Sequence, residues 1–339
     1  MRLPAEWEPQ RLVIFTFPRT AGDWGENLHA ASAAMIAAAN AVNEVTPVLL
    51  IVSDREHFDN YAEVYQGKKI SLPTDDCWIR DYGPITVIDK DGKHIMLDFT
   101  FNGWGGKFEA TADNEIPKQL QKTLFPNHGY QRVDLVLEGG SIESDGFGTM
   151  LTTTTCLLSE GRNDWRNPEA ASQILRKYFG KKTDVFWLTD GELVGDDTDA
   201  HVDTLARLLD ERTIAYVSCD DPTDEHFESL QEMRKDLRFI YTRHHKPFKL
   251  IALPLPPAIF AADGHRLPAT YANFLISNGT LFLPTYFSSA PAGSPGRLAD
   301  ANAISIMESY GKYKVVPVDC RPFIEQHGSL HCLTMQIPA

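Results

Sequence analysis

A concentration of carboxylates marks residues 195–203, which read Gly-Asp-Asp-Thr-Asp-Ala-His-Val-Asp. Four aspartates and one histidine, His201, stand here without any lysine or arginine. Because like charges repel, such a cluster favours a cationic partner, either a metal ion or a positively charged substrate. The alternative is structural, namely a solvated acidic turn in which an aspartate or threonine caps a following helix.

Cys332 is a candidate nucleophile near the end of the chain. Polar residues and a glycine precede it, in Gly-Ser-Leu-His-Cys, and glycine lets the backbone approach a ligand closely. A reactive thiolate needs a cation or a proton acceptor nearby. We expect His201 to supply that imidazole, with His327 as a second candidate. His331 is expected to point away from the thiol if this segment is extended, because neighbouring side chains then alternate.

Residues 78–84 read Trp-Ile-Arg-Asp-Tyr-Gly-Pro and place a carboxylate in a turn. In a functional interpretation, Asp81 accepts hydrogen bonds from a planar cation while Trp78 covers the face of that cation. The alternative is an ion pair between Arg80 and Asp81 at the start of a strand. This segment alone leaves both interpretations open.

Trp104 and Glu138 each stand beside flexible backbone, in Asn-Gly-Trp-Gly-Gly and Glu-Gly-Gly-Ser. Either segment alone could be only a tight turn. Together they add an aromatic ring and a carboxylate, which suit an organic cation better than a metal. A metal hydrolase usually offers several histidines, whereas the acidic segment offers only the pair His201 and Asp203. We therefore favour no metal, and phosphate is disfavoured because no glycine-rich lysine motif is present.

The overall charge also favours a cationic partner. The chain has 339 residues, with 32 lysines and arginines against 46 aspartates and glutamates, and a net charge of −14. Such a surface repels nucleic acid and anionic membranes. The five cysteines are widely spaced and include no Cys-x-x-Cys pair, which argues against a disulfide scaffold and fits a reducing cytoplasm. The four cysteines other than Cys332 are interpreted as small buried residues.

The hydropathy pattern is that of an ordinary globular protein, with 43% hydrophobic and 23% charged residues. No run of 18 apolar residues is present, so we expect no membrane span. The N-terminal residues lack the apolar centre of a signal peptide. The expected location is therefore the cytoplasm.

Strand-like and helix-like segments alternate along the chain with short connections, which predicts an α/β fold in a single domain, residues 1–339. The predicted elements include helices at 27–45, 54–66 and 167–180, strands at 149–157 and 238–242, and a hairpin at Asn278-Gly279. Five polar segments interrupt this structure, at residues 78–83, 102–106, 138–141, 195–203 and 327–332. If repeated units surround a common axis, these segments can meet at one end of it.

Taken in order, these motifs resemble the agmatine deiminases and the bacterial, Porphyromonas-type peptidylarginine deiminases of the pentein (guanidino-modifying) superfamily. The similar motifs span nearly the whole chain: Leu-Pro-Ala-Glu-Trp-Glu-Pro from residue 3, Asp-x-Trp-x-Arg-Asp-x-Gly-Pro from 76, Asn-x-Trp-Gly-Gly from 102, Glu-Gly-Gly-Ser from 138, Asp-Thr-Asp-x-His-Val-Asp from 197, Tyr-Ala-Asn-Phe from 271, and His331-Cys332. The resemblance implies a pentein α/β propeller of five ββαβ units with the site on the central axis. It also implies no cofactor and a possible homodimer.

By position, the resemblance implies roles for several residues. The implied roles are Cys332 as nucleophile, His201 as general acid and base, Asp81 and Asp203 as guanidinium ligands, and Asp197 as a further substrate contact. We add Trp78, Trp104 and Glu138 as candidate substrate contacts, with Glu138 proposed for the distal amine. Thiolate attack on the guanidinium carbon would release ammonia and leave an amidino-cysteine, which water converts to a ureido product. Two carboxylates would orient the guanidinium, and its charge would help to stabilise the thiolate.

This sequence departs from the family pattern at three places. Residues 326–329, Gln-His-Gly-Ser, replace a glycine-rich run, Tyr82 replaces a threonine, and Ala200 replaces a glycine. These changes leave the chemistry intact but alter the pocket wall and the backbone near the nucleophile. Deimination is therefore better supported than agmatine as the substrate.

The expected function is hydrolysis of agmatine to N-carbamoylputrescine and ammonia, a step of putrescine biosynthesis. The alternatives are deimination of peptidylarginine or amidino transfer, a non-catalytic polyamine-binding protein, and a metal hydrolase. Asp196 and Asp199 have no expected chemical role and are interpreted as loop-shaping or capping residues.

Overall fold

The computed structural model describes all residues 1–339, and its strands form five small sheets. The strands are, in chain order, β1 (Gln10–Thr16), β2 (Val48–Val52), β3 (Lys68–Ser71), β4 (Ile85–Ile88), β5 (His94–Thr100), β6 (Gly129–Val136), β7 (Glu143–Ser144), β8 (Thr149–Thr153), β9 (Asp184–Leu188), β10 (Ala206–Asp210), β11 (Thr213–Ser218), β12 (Lys249–Pro254), β13 (Leu275–Ser277), β14 (Thr280–Thr285), β15 (Lys314–Asp319) and β16 (Met335–Pro338). The α-helices are α1 (Leu28–Asn43), α2 (Arg55–Asp59), α3 (Ile79–Tyr82), α4 (Gly103–Gly106), α5 (Ile116–Leu124), α6 (Thr154–Leu157), α7 (Pro168–Phe179), α8 (Phe227–Arg238) and α9 (Pro295–Tyr310).

Four of the five sheets have the same three-stranded connectivity. In each, the first strand pairs antiparallel with the second, and the second pairs parallel with the third. Parallel neighbours need a crossover connection, and a helix supplies it in every unit. The units are β4-β5-α5-β6, β7-β8-α7-β9, β10-β11-α8-β12 and β13-β14-α9-β15.

The fifth unit is assembled from both ends of the chain. The C-terminal strand β16 pairs antiparallel with β1, and β1 pairs parallel with β2 after the crossover helix α1. Strand β3 extends this sheet beside β2. The same ββαβ pattern therefore occurs five times, which confirms the α/β propeller class expected from the sequence.

Local sequence signals account for most of these elements. Helix α7 begins where the Asn167 side chain accepts from Ala170 N, with proline in the first turn, and ends at Gly180. At the β13–β14 hairpin, Asn278 and Gly279 both have positive φ, as an Asn-Gly turn requires. No helix combines the length and the continuous apolar character that crossing a lipid bilayer requires.

Three predicted elements differ from the structure. The helix expected at 54–66 contains only α2 before the chain turns towards β3, and the strand expected at 149–157 becomes helical after Thr153, whose hydroxyl caps α6 by accepting from Cys156 N. The strand expected at 238–242 does not form, because α8 continues to Arg238. Short apolar runs do not distinguish a buried strand from a buried helical turn.

A short turn precedes the first strand of each unit, and these turns are what position the site. Four of them are helical: α3, Gly139–Ser141, Val202–Thr204 and His331–Leu333. The fifth is formed by residues 271–274 before β13. Contacts join α3 to the turns at 139–141 and 331–333, and the turn at 139–141 to that at 202–204. The five turns therefore surround one axis.

Candidate active site

Each of the five turns contributes one residue to a cluster on the axis. These residues are Asp81, Gly140, Asp203, Asn273 and Cys332. Gly140 N donates to Asp81 Oδ1 at 3.0 Å, and Asn273 Nδ2 donates to Asp203 O at 3.3 Å. Cys332 Sγ lies 3.4 Å from Asn273 Oδ1 and 3.9 Å from Asp203 Oδ2. The fold thus brings the candidate nucleophile together with both candidate guanidinium ligands.

The Cys332 thiol lies at the buried end of this cluster, in a short helical turn rather than an extended segment, and the residue is 4% exposed. Burial raises the pKa of the thiol well above its usual range, and the carboxylates of Asp203 and Asp81 raise it further. The hydrogen bond to Asn273 opposes that rise only in part. In the free protein the thiol is therefore protonated at neutral pH.

This protonation state predicts the pH dependence of Cys332 alkylation. Because only the thiolate reacts, the rate with iodoacetamide should keep rising with pH beyond the usual thiol pKa of about 8.5. Mass spectrometry should locate the label on Cys332, with Cys332→Ser giving the background from the other cysteines, which are all free and buried. A rate that levels off below pH 8 would contradict the assigned environment.

Asp81 is fixed by two hydrogen bonds. Trp104 Nε1 donates to Oδ2 and Gly140 N donates to Oδ1, both at 3.0 Å. Burial nevertheless raises the pKa of Asp81 well above its usual range, and the nearby charge of Asp203 adds to the rise. A bound cation would reverse both effects, so this carboxylate is electrostatically prepared to receive one.

The alternative ion pair between Arg80 and Asp81 does not form. Arg80 turns to the C-terminal segment, where Nη2 donates to Gln336 Oε1 at 2.5 Å and Nε donates to His331 O at 3.4 Å. Asp81 is therefore available to a partner other than its neighbour in the sequence.

Gly140 shows how closely the acidic and basic groups gather. A Cβ atom at this position would lie 2.7 Å from His201 Nδ1, 2.9 Å from Asp81 Oδ1 and 3.0 Å from Asp203 Oδ2. Ordinary side chains do not tolerate such approaches, so glycine is required here. Asp81, His201 and Asp203 consequently converge on one point of the axis.

His201 is completely buried, and its ring nitrogens have no hydrogen-bond partner within the chain. Its Nδ1 lies 3.6 Å from Asp81 Oδ1, and Asp203 Oδ1 is also without a partner. Burial lowers the pKa of His201 to about 3, so the imidazole is neutral at pH 7 and can accept a proton. Buried polar atoms are normally paired, and exceptions of this kind are typical of functional sites.

Glu138 is not placed as expected for a contact with the distal amine. It is fully buried, and both of its oxygens accept from Arg162 Nε, at 2.8 and 3.1 Å. It does not line the cavity that reaches Cys332. The structure places this carboxylate near His201, with both oxygens already paired with Arg162.

A metal could in principle use three groups at this position. Ligand atoms of Glu138, Cys156 and His201 lie within 4.8 Å of one another, all buried. The guanidinium of Arg162, however, already occupies both oxygens of Glu138. A neighbouring cation repels a metal ion, so this trio fits a hydrogen-bonded cluster better than a metal site.

A cavity of about 180 Å³ leads to Cys332. Its walls include the tryptophans expected from the sequence and the carboxylate of Asp197. The acidic side chains that line it are Asp23, Asp76, Asp81, Asp197 and Glu325. No lysine or arginine lines it. The field in this cavity therefore attracts a cation.

The two aromatic walls are held in different ways. Trp78 packs on Trp24 with ring centroids 6.1 Å apart, whereas Trp104 has its indole nitrogen on Asp81. A Cβ at Gly328 would lie 2.2 Å from the Trp78 ring, so only glycine allows this ring position. Both rings line the cavity, as a planar cation would require.

Within the acidic segment, the aspartates separate by role. Asp196 accepts from Thr198 N and Ala200 N, at 3.1 and 2.7 Å, which confirms that it shapes the loop. Asp199 pairs with Lys107 at 2.9 Å and Arg162 at 2.6 Å, so it too is a structural residue. The segment is therefore not one acidic cluster around one cation.

The departures from the family pattern have visible consequences. Tyr82 is buried, and its hydroxyl donates to Asp76 O at 2.8 Å, which supports the cavity wall. Ala200 has a φ of 64°, a left-handed conformation that costs roughly 1–2 kcal/mol for a residue with a Cβ. His327 lines the cavity, and its Nδ1 contacts Gly195 O at 2.6 Å. His327 thus alters the cavity wall, Tyr82 supports that wall from behind, and Ala200 alters the backbone beside His201.

The sequence alone predicted no role for Asn273, and His331 was expected to point away from the thiol if its segment were extended. Asn273 Oδ1 in fact accepts from His331 N at 2.9 Å and Cys332 N at 3.3 Å, so it fixes the nucleophile's turn. His331 Nδ1 contacts Asp203 Oδ2 at 2.7 Å. Asn273 precedes β13, the first strand of its unit, just as Asp203 precedes β10. This equivalence becomes visible only once the repeated fold is known.

An α/β propeller with a cysteine, a histidine and two aspartates on its axis defines the class of protein. The chain belongs to the Porphyromonas-type peptidyl-arginine deiminase family, whose model matches residues 2–338. It is 30% identical to an agmatine deiminase of Stutzerimonas stutzeri, over 99% of this chain and 95% of that protein. A structure of C. jejuni agmatine deiminase with substrate bound is 35% identical, with a TM-score of 0.88, covering 99% of this chain and 95% of that one. A dimethylarginine dimethylaminohydrolase, 14% identical with a TM-score of 0.54 over 97% of this chain and 100% of that one, shares the fold.

Proposed function

We propose that this chain hydrolyses the guanidino group of agmatine to give N-carbamoylputrescine and ammonia. The observation that carries the proposal is a cavity lined by five carboxylates, without lysine or arginine, that ends at the Cys332 thiol. Such a cavity favours a cationic substrate over a neutral or anionic one. Membership of the deiminase family and similarity to agmatine deiminases support the same reaction.

The guanidinium binds between Asp81 and Asp203, which face the point where His201 converges with them. Neutral His201 takes the thiol proton, and Cys332 Sγ forms a bond to the guanidinium carbon. The same proton passes to the leaving nitrogen, the C–N bond breaks, and ammonia departs from an amidino-cysteine. His201 then removes a proton from water, which attacks the same carbon. The C–S bond breaks, and the thiol is restored as the ureido product leaves.

The positive charge of the substrate favours ionisation of the buried Cys332 thiol. Burial and two carboxylates raise the pKa of Cys332, so the free protein holds an unreactive thiol. A guanidinium between Asp81 and Asp203 neutralises those carboxylates and places positive charge beside the sulfur. Opposite charge within a few ångströms favours the ionised form, so the nucleophile forms when substrate is present.

The cavity entrance offers a place for a second cation. Asp76 lines it next to Trp78, with Oδ1 accepting from Cys77 N at 2.7 Å, and Asp23 adds negative charge nearby. Burial raises the pKa of Asp76 to about 6, which a bound ammonium would lower. We therefore propose Asp76, in place of Glu138, as the contact for the distal amine of agmatine.

Asp76→Asn is expected to raise the KM for agmatine roughly 10- to 100-fold, the size of one charge-assisted hydrogen bond. Butylguanidine, which has the same chain without the distal amine, serves as the matched substrate and should be nearly unaffected. Steady-state ammonia release with both substrates measures the difference. An equal rise in KM for agmatine and butylguanidine would indicate that Asp76 supports Trp78 and does not bind the amine.

The proposed function itself is tested by ammonia release from agmatine, free arginine and a peptidyl arginine under the same conditions. We expect agmatine to give the highest kcat/KM, because the acidic entrance repels the carboxylate of free arginine. A higher kcat/KM for the peptide would indicate peptidylarginine deimination and contradict agmatine hydrolysis as the function. Tight binding of agmatine or putrescine without ammonia would indicate a polyamine-binding protein, and loss of activity with a chelator would indicate a metal hydrolase.

We also propose a cytoplasmic location, a homodimer and a single catalytic domain. A cytoplasmic location is supported by five cysteines that are all free. A homodimer follows from the family resemblance alone and is tested by light scattering after size-exclusion chromatography. A single catalytic domain spanning 1–339 is supported by the pairing of β16 with β1, which joins the two ends of the chain.

A further inference from the structure

We propose that Glu6 is a positioning residue for this reaction, acting through His331 to keep Asp203 ionised and oriented. The proposal rests on the proposed guanidinium chemistry and assigns a role to the N-terminal motif, which that chemistry does not use. Glu6 Oε2 lies 2.6 Å from His331 Nε2, and Asp203 Oδ2 lies 2.7 Å from His331 Nδ1. A single imidazole therefore connects the N-terminal segment to a guanidinium ligand.

Both nitrogens of the His331 ring face carboxylates. Carboxylate oxygens only accept hydrogen bonds, so the contacts with Glu6 and Asp203 place a ring nitrogen opposite an acceptor on each side. Arg207 Nη2 lies 3.1 Å from Nε2 on the Glu6 side and forms an ion pair with Glu6 Oε2 at 2.9 Å. His331 is 1% exposed, so its ring is held by these neighbours and not by solvent.

Asp203 benefits directly from the contact with His331. Burial alone would raise its pKa, but the hydrogen bond and charge of His331, helped by Arg207, hold its pKa below the usual value. The bond also occupies Oδ2, which leaves Oδ1 without a partner inside the chain and free for a guanidinium nitrogen. Asp203 is thereby both charged and oriented before substrate arrives.

Glu6 itself is held rigidly. Its Oε1 accepts from Ile276 N at 2.6 Å, while Arg207 pairs with both Glu6 and Glu143, the latter at 3.0 Å. Arg207 and His331 hold the pKa of Glu6 below its usual range despite its burial. The contacts of Glu6 therefore reach the units of β10, β13 and β16, which makes it a fixed anchor for His331.

The expected effect of removing this anchor depends on which charges surround the two groups. The charged or titratable side chains near His331 are Glu6, Asp203, Arg207 and Glu143, with Arg80 on its carbonyl. Those around Asp203 are His331, Cys332, His201, Asp81, Arg207 and Arg80. Without the carboxylate of Glu6, the Nε2 side of the His331 ring is no longer anchored, and the 2.7 Å contact of Nδ1 with Asp203 is weakened. Asp203 is then less well stabilised as a carboxylate, so its pKa rises.

Glu6→Gln, which keeps the shape of the side chain, is therefore expected to move the acid limb of the kcat/KM profile for agmatine to higher pH by about one unit. At neutral pH we expect about a tenfold loss in kcat/KM. The matched control is Glu143→Gln, which removes the other buried carboxylate on Arg207 but makes no hydrogen bond to His331. The control should lower the melting temperature and move the acid limb less than Glu6→Gln does. An unmoved limb in Glu6→Gln, or an equal shift in both variants, would overturn the proposal.

A second measurement covers the case in which Glu6→Gln does not fold. A separate cavity of about 90 Å³, which shares no lining residue with the first, is lined by both Glu6 and His331. Formate should enter it in Glu6→Ala, replace the missing carboxylate and restore at least about a third of the lost kcat/KM, whereas it should not rescue Asp203→Ala. Absence of rescue in folded Glu6→Ala would count against the assigned role.

The wild-type assay separates this proposal from the proposed function. If the wild-type protein releases no ammonia from any guanidine, the proposed function fails. The role of Glu6 is then decided by the pH dependence of Cys332 alkylation with chloroacetamidine, a cationic amidine that needs Asp203 ionised. Glu6→Gln should shift that dependence to higher pH, and an unchanged profile would overturn the proposal.

Discussion

Replacement of Cys332 by serine is expected to lower kcat for agmatine by at least about 10³-fold. A buried hydroxyl has a far higher pKa than a thiol, so a bound guanidinium and a neutral imidazole do not ionise it. Substrate binding should persist, because Asp81, Asp203 and the tryptophan walls do not depend on the sulfur. The measurement is steady-state ammonia release together with agmatine binding by calorimetry.

Cys219→Ser provides the matched control for this variant. Cys219 is also free and buried, but its sulfur faces Asp221 O at 3.6 Å and it does not line the cavity. It should retain turnover and lose only stability. Full turnover by Cys332→Ser on any guanidine would contradict covalent catalysis by Cys332 and therefore the proposed function.

Much of the fold follows from local sequence signals. Asn278-Gly279 selects a tight hairpin, and Asn167 with Pro168 starts a helix, because these residues act on the backbone beside them. The recurrence of polar segments between apolar elements indicated that several turns meet on an axis, and four of the five segments overlap an axial turn. The segment at 102–106 does not, and residues 271–274 supply the fifth turn. The closure of the fifth unit by β16 and β1 had no local signal, since it joins opposite ends of the chain.

The site was predictable in its residue types and less so in its contacts. Asp81 and Cys332 stand in segments whose glycines and aromatic residues already suggested chemistry. Glu138 stands in a similar segment, but whether a carboxylate faces a cavity or an arginine depends on Arg162, which lies in a different turn. The link from Glu6 through His331 to Asp203 spans nearly the whole chain and needs the folded structure.

His201→Ala is expected to lower turnover by about 10²- to 10⁴-fold and to accumulate the amidino-cysteine. The two halves of the reaction depend on the imidazole to different extents. Substrate charge lowers the pKa of the Cys332 thiol, so attack still occurs at raised pH without a base. Water has no comparable assistance in the second half, so the adduct persists. Intact-mass analysis after mixing with agmatine should show Cys332 carrying agmatine less ammonia.

His327→Ala is the matched control, which tests whether another imidazole near the cavity can act as the acid and base. His327 lines the entrance, whereas His201 is buried against Asp81 and Asp203. Both ring nitrogens of His201 are unpartnered beside the reacting groups, whereas His327 Nδ1 contacts Gly195 O, so His201 is the imidazole placed to take a proton and return it to the leaving nitrogen. His327→Ala should turn over without accumulating adduct. If that variant trapped the adduct and His201→Ala did not, the acid and base roles would belong to the entrance histidine, and water would have to reach the amidino-cysteine from the cavity side.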